Sequence, residues 1–200
     1  MSNTVEFYFD VGSPASYLAW TQLPAICAES GATLIYKPML LGGVYQATGN
    51  ASPATVPAKG AYTNVDFARF AKRYGVPYRN NPHFPIITLM LMRAATGVQM
   101  RMPERFDDFL RALFHALWID ALNLNDPPLV AKTLVGAGFD VETIMALTND
   151  PEVKLQLRST TDEAIKRGVF GAPTTFVGGH MFFGQDRLDW VREALQGKSI

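Results

Sequence analysis

The chain has 200 residues, 48% of them hydrophobic and 18% charged, with 18 basic side chains balancing 18 acidic ones. That length buries a real core within one folded unit, and the composition excludes a disordered chain. Zero net charge argues against nucleic acid or an anionic membrane as partner, so a small molecule is the expected ligand. Cys27 is the single cysteine; no intramolecular disulfide can form, and a reducing compartment suits the protein. The opening "MSNTVEFYF" has neither the basic start nor the cleavage site of a secretory leader. The longest apolar run, "FPIITLMLM", falls far short of the roughly 20 residues of a membrane span. A cytoplasmic protein is expected, and no metal site.

In chain order, "VEFYFD" (5–10) alternates aromatic and β-branched positions and reads as a buried strand. Ser13-Pro14 is a helix start, with Ser13 as N-cap and Pro14 at the first helical position, where its missing N–H costs nothing. The helix carries Leu18, Leu23, Ile26 and Cys27 on a rough stripe, is expected to kink at Pro24, and ends at Ser30-Gly31. "ATLIYKP" reads as a second strand parallel to the first, closing a β-α-β unit. The Gly-, Pro- and Thr-rich text that follows predicts a loop over 42–59. Beyond it the pattern is helical, starting with "NVDFARFAKRYG" and "FPIITLMLMRAATGVQ". "PERFDDFLRALFHALWIDALN" follows, and then two segments opened by Asp-Pro. The Met- and Leu-rich faces here, and Phe114, His115 and Trp118, read as core filler. Near the end, Gly178-Gly179 between apolar runs predicts a hairpin, and a last helix begins near Gln185.

The order β-α-β, helical block, β-β-α describes one mixed sheet with a helical block between its halves. With the helix-opening Ser-Pro-x-Ser and "GVFGAPTTFV" before the hairpin, the chain resembles the thioredoxin superfamily in its disulfide-oxidoreductase A form. Within it, "FDVGSPASYLA", "TGNASPATVPAKGAY", "NNPHFP" and "FFGQDRL" resemble the 2-hydroxychromene-2-carboxylate isomerases and the kappa-class glutathione transferases. The resemblance covers nearly the whole chain. It implies an α/β thioredoxin-like fold with a large all-helical insertion. The thioredoxin-like part would span 1–41 and about 168–200, the helical insertion about 60–167, with an active-site loop at 42–59. It also implies glutathione as cofactor, an aromatic small-molecule substrate, a place in aromatic-compound catabolism and a homodimer.

Oxidoreductases of this superfamily carry Cys-Pro-x-Cys where this chain has Ser13 and Ser16. Cys27 lies eleven residues past Ser16, about three helical turns on, so thiol–disulfide exchange by the chain alone is excluded. Serine without an adjacent base is a poor nucleophile, and none of His83, His115 and His180 is placed by sequence to assist. The alternative to a plain N-cap is a hydrogen-bond donor to the sulfur of bound glutathione at the positive end of the helix. A helix terminus contributes about 0.3–1 kcal/mol to an exposed anion and about 2 when partly buried, and a charge-assisted hydrogen bond adds about 1.5–3. At about 1.36 kcal/mol per pKa unit, the sum carries a thiol from about 8.5 to near neutrality or below. Ser16 reads as a first-turn filler.

The resemblance further implies a cis bond before Pro173, which leaves the backbone of Ala172 free to pair with the cysteinyl unit of glutathione as a short added strand. Gln185 and Asp186 open the last helix, where their N–H groups suit a carboxylate and the Asp186 side chain an ammonium; a plain helix-terminal acid is the other reading. Phe183, Asn50 and Lys59 complete the implied glutathione site. Lys59, His83 and Phe84 are the implied substrate pocket, although the family's basic loop residues are replaced here by "ASPATV". Three functions follow. The first is a glutathione-dependent isomerase converting 2-hydroxychromene-2-carboxylate to trans-benzylidenepyruvate by reversible thiolate addition. The second is a kappa-like transferase that releases the conjugate, and the third a non-catalytic thioredoxin-like module that binds peptides at Pro173.

Overall fold

A computed structural model describes residues 4–198. Its sheet is built from both ends of the chain: β1 (Thr4–Phe9), β2 (Thr33–Pro38), β3 (Thr174–Val177) and β4 (His180–Phe183), in the order β2-β1-β3-β4. β1 pairs parallel with β2 and antiparallel with β3, and β3 and β4 form the hairpin expected around Gly178-Gly179. As a central strand, β1 is buried on both faces, which its sequence explains. Val5, Phe7 and Phe9 enter the main core, where Phe9 lies 6.2 Å from Phe114, while Tyr8 points to a smaller core with Met39, Val44 and Phe176. Each such side chain contributes about 1.5–3 kcal/mol when fully buried.

Helix α1 (Pro14–Ser30) connects β1 to β2 and runs through Pro24 without interruption, ending on Gly31 in the left-handed conformation. The segment 42–59 is not the loop that its composition predicts. It holds helix α2 (Leu41–Thr48), a single 3-10 turn at Pro53–Thr55, and the start of α3 (Pro57–Tyr74). The helix α2 forms despite Gly42 and Gly43 because its first turn is anchored from outside: the Asp10 carboxylate accepts from Leu41 N–H and the Thr161 hydroxyl from Leu40 N–H.

Helices α4 (Leu89–Arg101), α5 (Phe106–Trp118), α6 (Pro127–Gly136), α7 (Val141–Asn149) and α8 (Pro151–Lys166) follow, and α9 (Leu188–Leu195) closes the chain. The helix expected from Phe84 begins only at Leu89. Pro85 disfavours helical geometry at the residue before it, and Ile87 N–H is taken by the Asn125 side chain. Asp150 caps α8 as its Asp-Pro start predicts, accepting from Glu152 N–H at 2.8 Å. Among the described residues no helix is long and apolar enough to cross a membrane.

Candidate active site

A cavity of about 1000 Å³ lies where the β1–α1 turn faces α2, the start of α3, the segment before α4 and the Phe170–Ala172 approach to β3. Ser13 lies in its wall, 6% exposed, with extended backbone and Pro14 behind it. Its Oγ accepts from Ser16 N–H at 3.1 Å, the cap that the sequence predicts, and its hydroxyl donates to the Ala172 carbonyl at 3.1 Å. The Ala172–Pro173 bond is cis. The Ala172 carbonyl is therefore not free, as the resemblance implies, but paired with the serine. No histidine lines the cavity, so Ser13 has no imidazole base there. Cys27 is buried on α1, its thiol pushed up to about 11 by burial, and it acts as a packing residue.

The other expected site residues divide. Asn50, Ala172, Phe183, Gln185, Asp186 and Phe84 line the cavity. Asn50 is fixed in the wall, its side-chain N–H donating to the Phe170 carbonyl at 2.7 Å. Phe183 packs on Phe170 with ring centroids 4.6 Å apart. Gly171 permits that approach, since a Cβ there would stand 2.7 Å from the Phe183 ring. Gln185 is buried, and its carbonyl accepts from the Tyr74 hydroxyl. Asp186 is held by Arg187, whose guanidinium also donates to the Phe183 carbonyl, each at 2.8 Å. Pro173, at the head of β3, accepts from Gly184 N–H through its carbonyl. By contrast, Lys59 and His83 are exposed and do not line the cavity.

Asp10 is the site residue that sequence reasoning missed. It is 1% exposed, and its carboxylate accepts from Gly12 N–H, Leu41 N–H and the Thr88 hydroxyl, each at 2.9 Å. Three donors favour the charged form, but burial outweighs them and holds the carboxyl above the usual range. Gly12 makes the arrangement possible, because a Cβ there would lie 2.5 Å from the Thr88 methyl. One carboxylate thus ties together the serine turn, α2 and the residue that opens α4. Its backbone carbonyl also takes the Ser13 N–H at 3.0 Å. The signal was the acid that ends "VEFYFD", two residues before the Gly12-Ser13 turn. Trp118 was read as core, yet it lines the cavity, fixed by its indole N–H to the Val11 carbonyl at 2.8 Å.

Residues 4–196 match the family model of the DSBA-like thioredoxin domain. The chain belongs to that family. Within it, a 2-hydroxychromene-2-carboxylate isomerase of Sphingobium xenophagum is 29% identical over 98% of this chain and 99% of its own length. The human kappa 1 glutathione S-transferase is 30% identical over 99% of this chain and 93% of its own. A solved 2-hydroxychromene-2-carboxylate isomerase superposes with a TM-score of 0.82 at 28% identity, covering 97% of this chain and 95% of that one. The isomerase and kappa-transferase resemblance read from the motifs is therefore borne out across the whole chain, and these relatives are enzymes.

Proposed function

We propose that this chain is a glutathione-dependent enzyme in which Ser13 stabilises the cofactor's thiolate for addition to a conjugated electrophile. The observation that carries the reading is the Ser13 hydroxyl, set in the cavity wall at the start of α1 and hydrogen-bonded to Ala172. The residues fit glutathione by exchange of partners. When a cysteinyl N–H donates to the Ala172 carbonyl, the serine hydroxyl is released to turn toward the sulfur, and no acceptor is stranded. The Asp186–Arg187 pair offers one charge of each sign to the γ-glutamyl ammonium and carboxylate, and Gln185 and Asn50 line the same cavity. Bound glutathione would supply the nucleophilic sulfur, since Cys27, the chain's own thiol, does not line the cavity. Serine itself forms no covalent bond, which accords with the missing base.

The adduct has two fates. Bond rotation and elimination would make the enzyme an isomerase of 2-hydroxychromene-2-carboxylate, whereas release of the adduct would make it a transferase. The position of Lys59 outside the cavity favours the second, because the cation expected for an acidic substrate is absent from the wall. The test offers the purified protein that chromene and a neutral aryl halide, each with and without glutathione, and follows the glutathione thiolate absorbance in wild type and Ser13→Ala. Glutathione-dependent turnover with loss of the thiolate signal in Ser13→Ala is expected. Turnover without glutathione, or an unimpaired variant, would overturn the reading.

A further inference from the structure

A second cavity, of about 690 Å³, opens as a groove between α2, α4 and α8. That size suits a small organic molecule. Helix α2 divides it from the Ser13 cavity: Leu41, Gly42 and Tyr45 line the one, and Gly43, Gln46 and Ala47 the other. At about 100° per residue the two sets lie on nearly opposite faces of the helix. Gly43 lets α2 lie close to α8, since a Cβ there would stand 3.4 Å from the Thr161 methyl.

Leu40, Ala47, Leu89, Leu155, Leu157 and Ile165 give the groove apolar surface, and no aromatic ring lines it among the described residues. Two uncharged polar side chains join them: Gln46, exposed on α2, and Thr161, whose hydroxyl donates to the Leu157 carbonyl and accepts from Leu40 N–H. The charged lining residues are Arg93, Lys154, Arg158 and Asp162. Asp162 pairs with Arg158 at 3.7 Å, one helical turn away. Arg93 on α4 and Lys154 on α8 are half-buried, and neither has an ion-pair partner among the described residues. Two partly desolvated cations beside apolar surface call for an anion that brings an apolar part of its own. A nucleotide base or an aryl group would find no ring to stack on; an alkyl chain needs only contact area.

We infer that this groove is a second ligand site, for an aliphatic carboxylate whose head group pairs with Arg93 and Lys154 and whose chain lies on Leu40, Leu89, Leu157 and Ile165. The inference does not depend on the glutathione reading, because only Leu40 and Leu89 line both cavities.

The experiment titrates decanoate and hexanoate, both below micelle-forming concentrations, into isotope-labelled protein and follows the backbone amides by NMR. Saturable shifts on α2 and α8 are expected. Decanoate should bind about fourfold tighter than hexanoate or better, since one fully buried methylene alone is worth about fourfold. Removing both cations with Arg93→Gln and Lys154→Gln together should weaken decanoate about tenfold. Ala47→Glu, at an exposed position of α2, should weaken it as well, by setting a carboxylate of the protein against the same cations. Absence of saturation would overturn the inference, as would shifts confined to the Ser13 cavity or equal affinity for the two acids. Undiminished decanoate binding by either variant would do the same. Sedimentation velocity covers the other occupant: a variant that changes the oligomeric state assigns the groove to a second copy of the chain and overturns the ligand site.

Discussion

Two helix N-termini meet at the cavity, and they are finished in opposite ways. Helix α1 is capped from within its own turn by Ser13, whose hydroxyl faces the cavity and shares a bond with Ala172. Helix α2 has no side-chain cap of its own and takes its acceptors from distant elements: Asp10 at Leu41 and Thr161 at Leu40. The first end holds a hydroxyl in the cavity wall; the second is closed by a buried carboxyl group. Both helix ends favour negative charge nearby, and at α2 a carboxyl group of the protein already occupies that place. The fold thus closes one helix end with a buried carboxyl group and sets a serine hydroxyl in the cavity wall at the other.

The comparison breaks most forcefully at the sealed end. Asp10→Ala strands the Gly12 and Leu41 N–H groups and the Thr88 hydroxyl, a loss of about 3 kcal/mol and a fall in Tm of about 6–12 °C for a chain of this size. Thermal unfolding followed by circular dichroism measures it, and a shift under 2 °C would deny Asp10 its sealing role. At the open end, Ser13→Ala should lower kcat/KM about 10- to 100-fold, the worth of one charge-assisted hydrogen bond. Its stability should fall by only about 1 kcal/mol, that of a lost cap. If stability fell further than activity, Ser13 would be a cap alone.

A smaller effect follows from the titration of Asp10. Its carboxyl is raised in the folded protein, chiefly by burial. The stability it contributes is full below the unfolded carboxylate value of about 3.9 and is lost as pH rises through the folded value. The stability advantage of wild type over Asp10→Asn should therefore narrow as pH rises above about 4 in urea titrations. A gap that widens would reverse the sign of the argument. Smallest of all, Ser16 is fully buried and its Oγ finds no partner among the described residues. Ser16→Ala should leave stability within about 0.5 kcal/mol or raise it slightly, in contrast to its neighbour three residues earlier.

The open end was legible in the sequence because its parts are local: Ser13, Pro14 and the apolar strand before them declare a capped helix within ten residues. The hairpin at Gly178-Gly179 and the Asp150-Pro151 start were legible for the same reason. The sealed end was not. The acceptor for α2 comes from Asp10, 31 residues before Leu41, and no local pattern reveals a cap supplied from another strand. Lys59 and His83 were misplaced because chain position says which segment borders a cavity but not which way a side chain faces. Trp118 has the helical spacing of a core residue and is indeed buried. Periodicity cannot separate a wall that meets another helix from one that meets a void.

That tryptophan has an optical consequence. The three indoles of the chain are Trp20, Trp118 and Trp190, and among them Trp118 alone borders the cavity. It is held rigidly by the Val11 carbonyl and by Tyr78, whose ring stacks on it with centroids 6.4 Å apart. An aromatic molecule entering beside Phe84 changes the surroundings of this one emitter and leaves the other two untouched. The protein thus carries an intrinsic fluorescent gauge of its own occupancy.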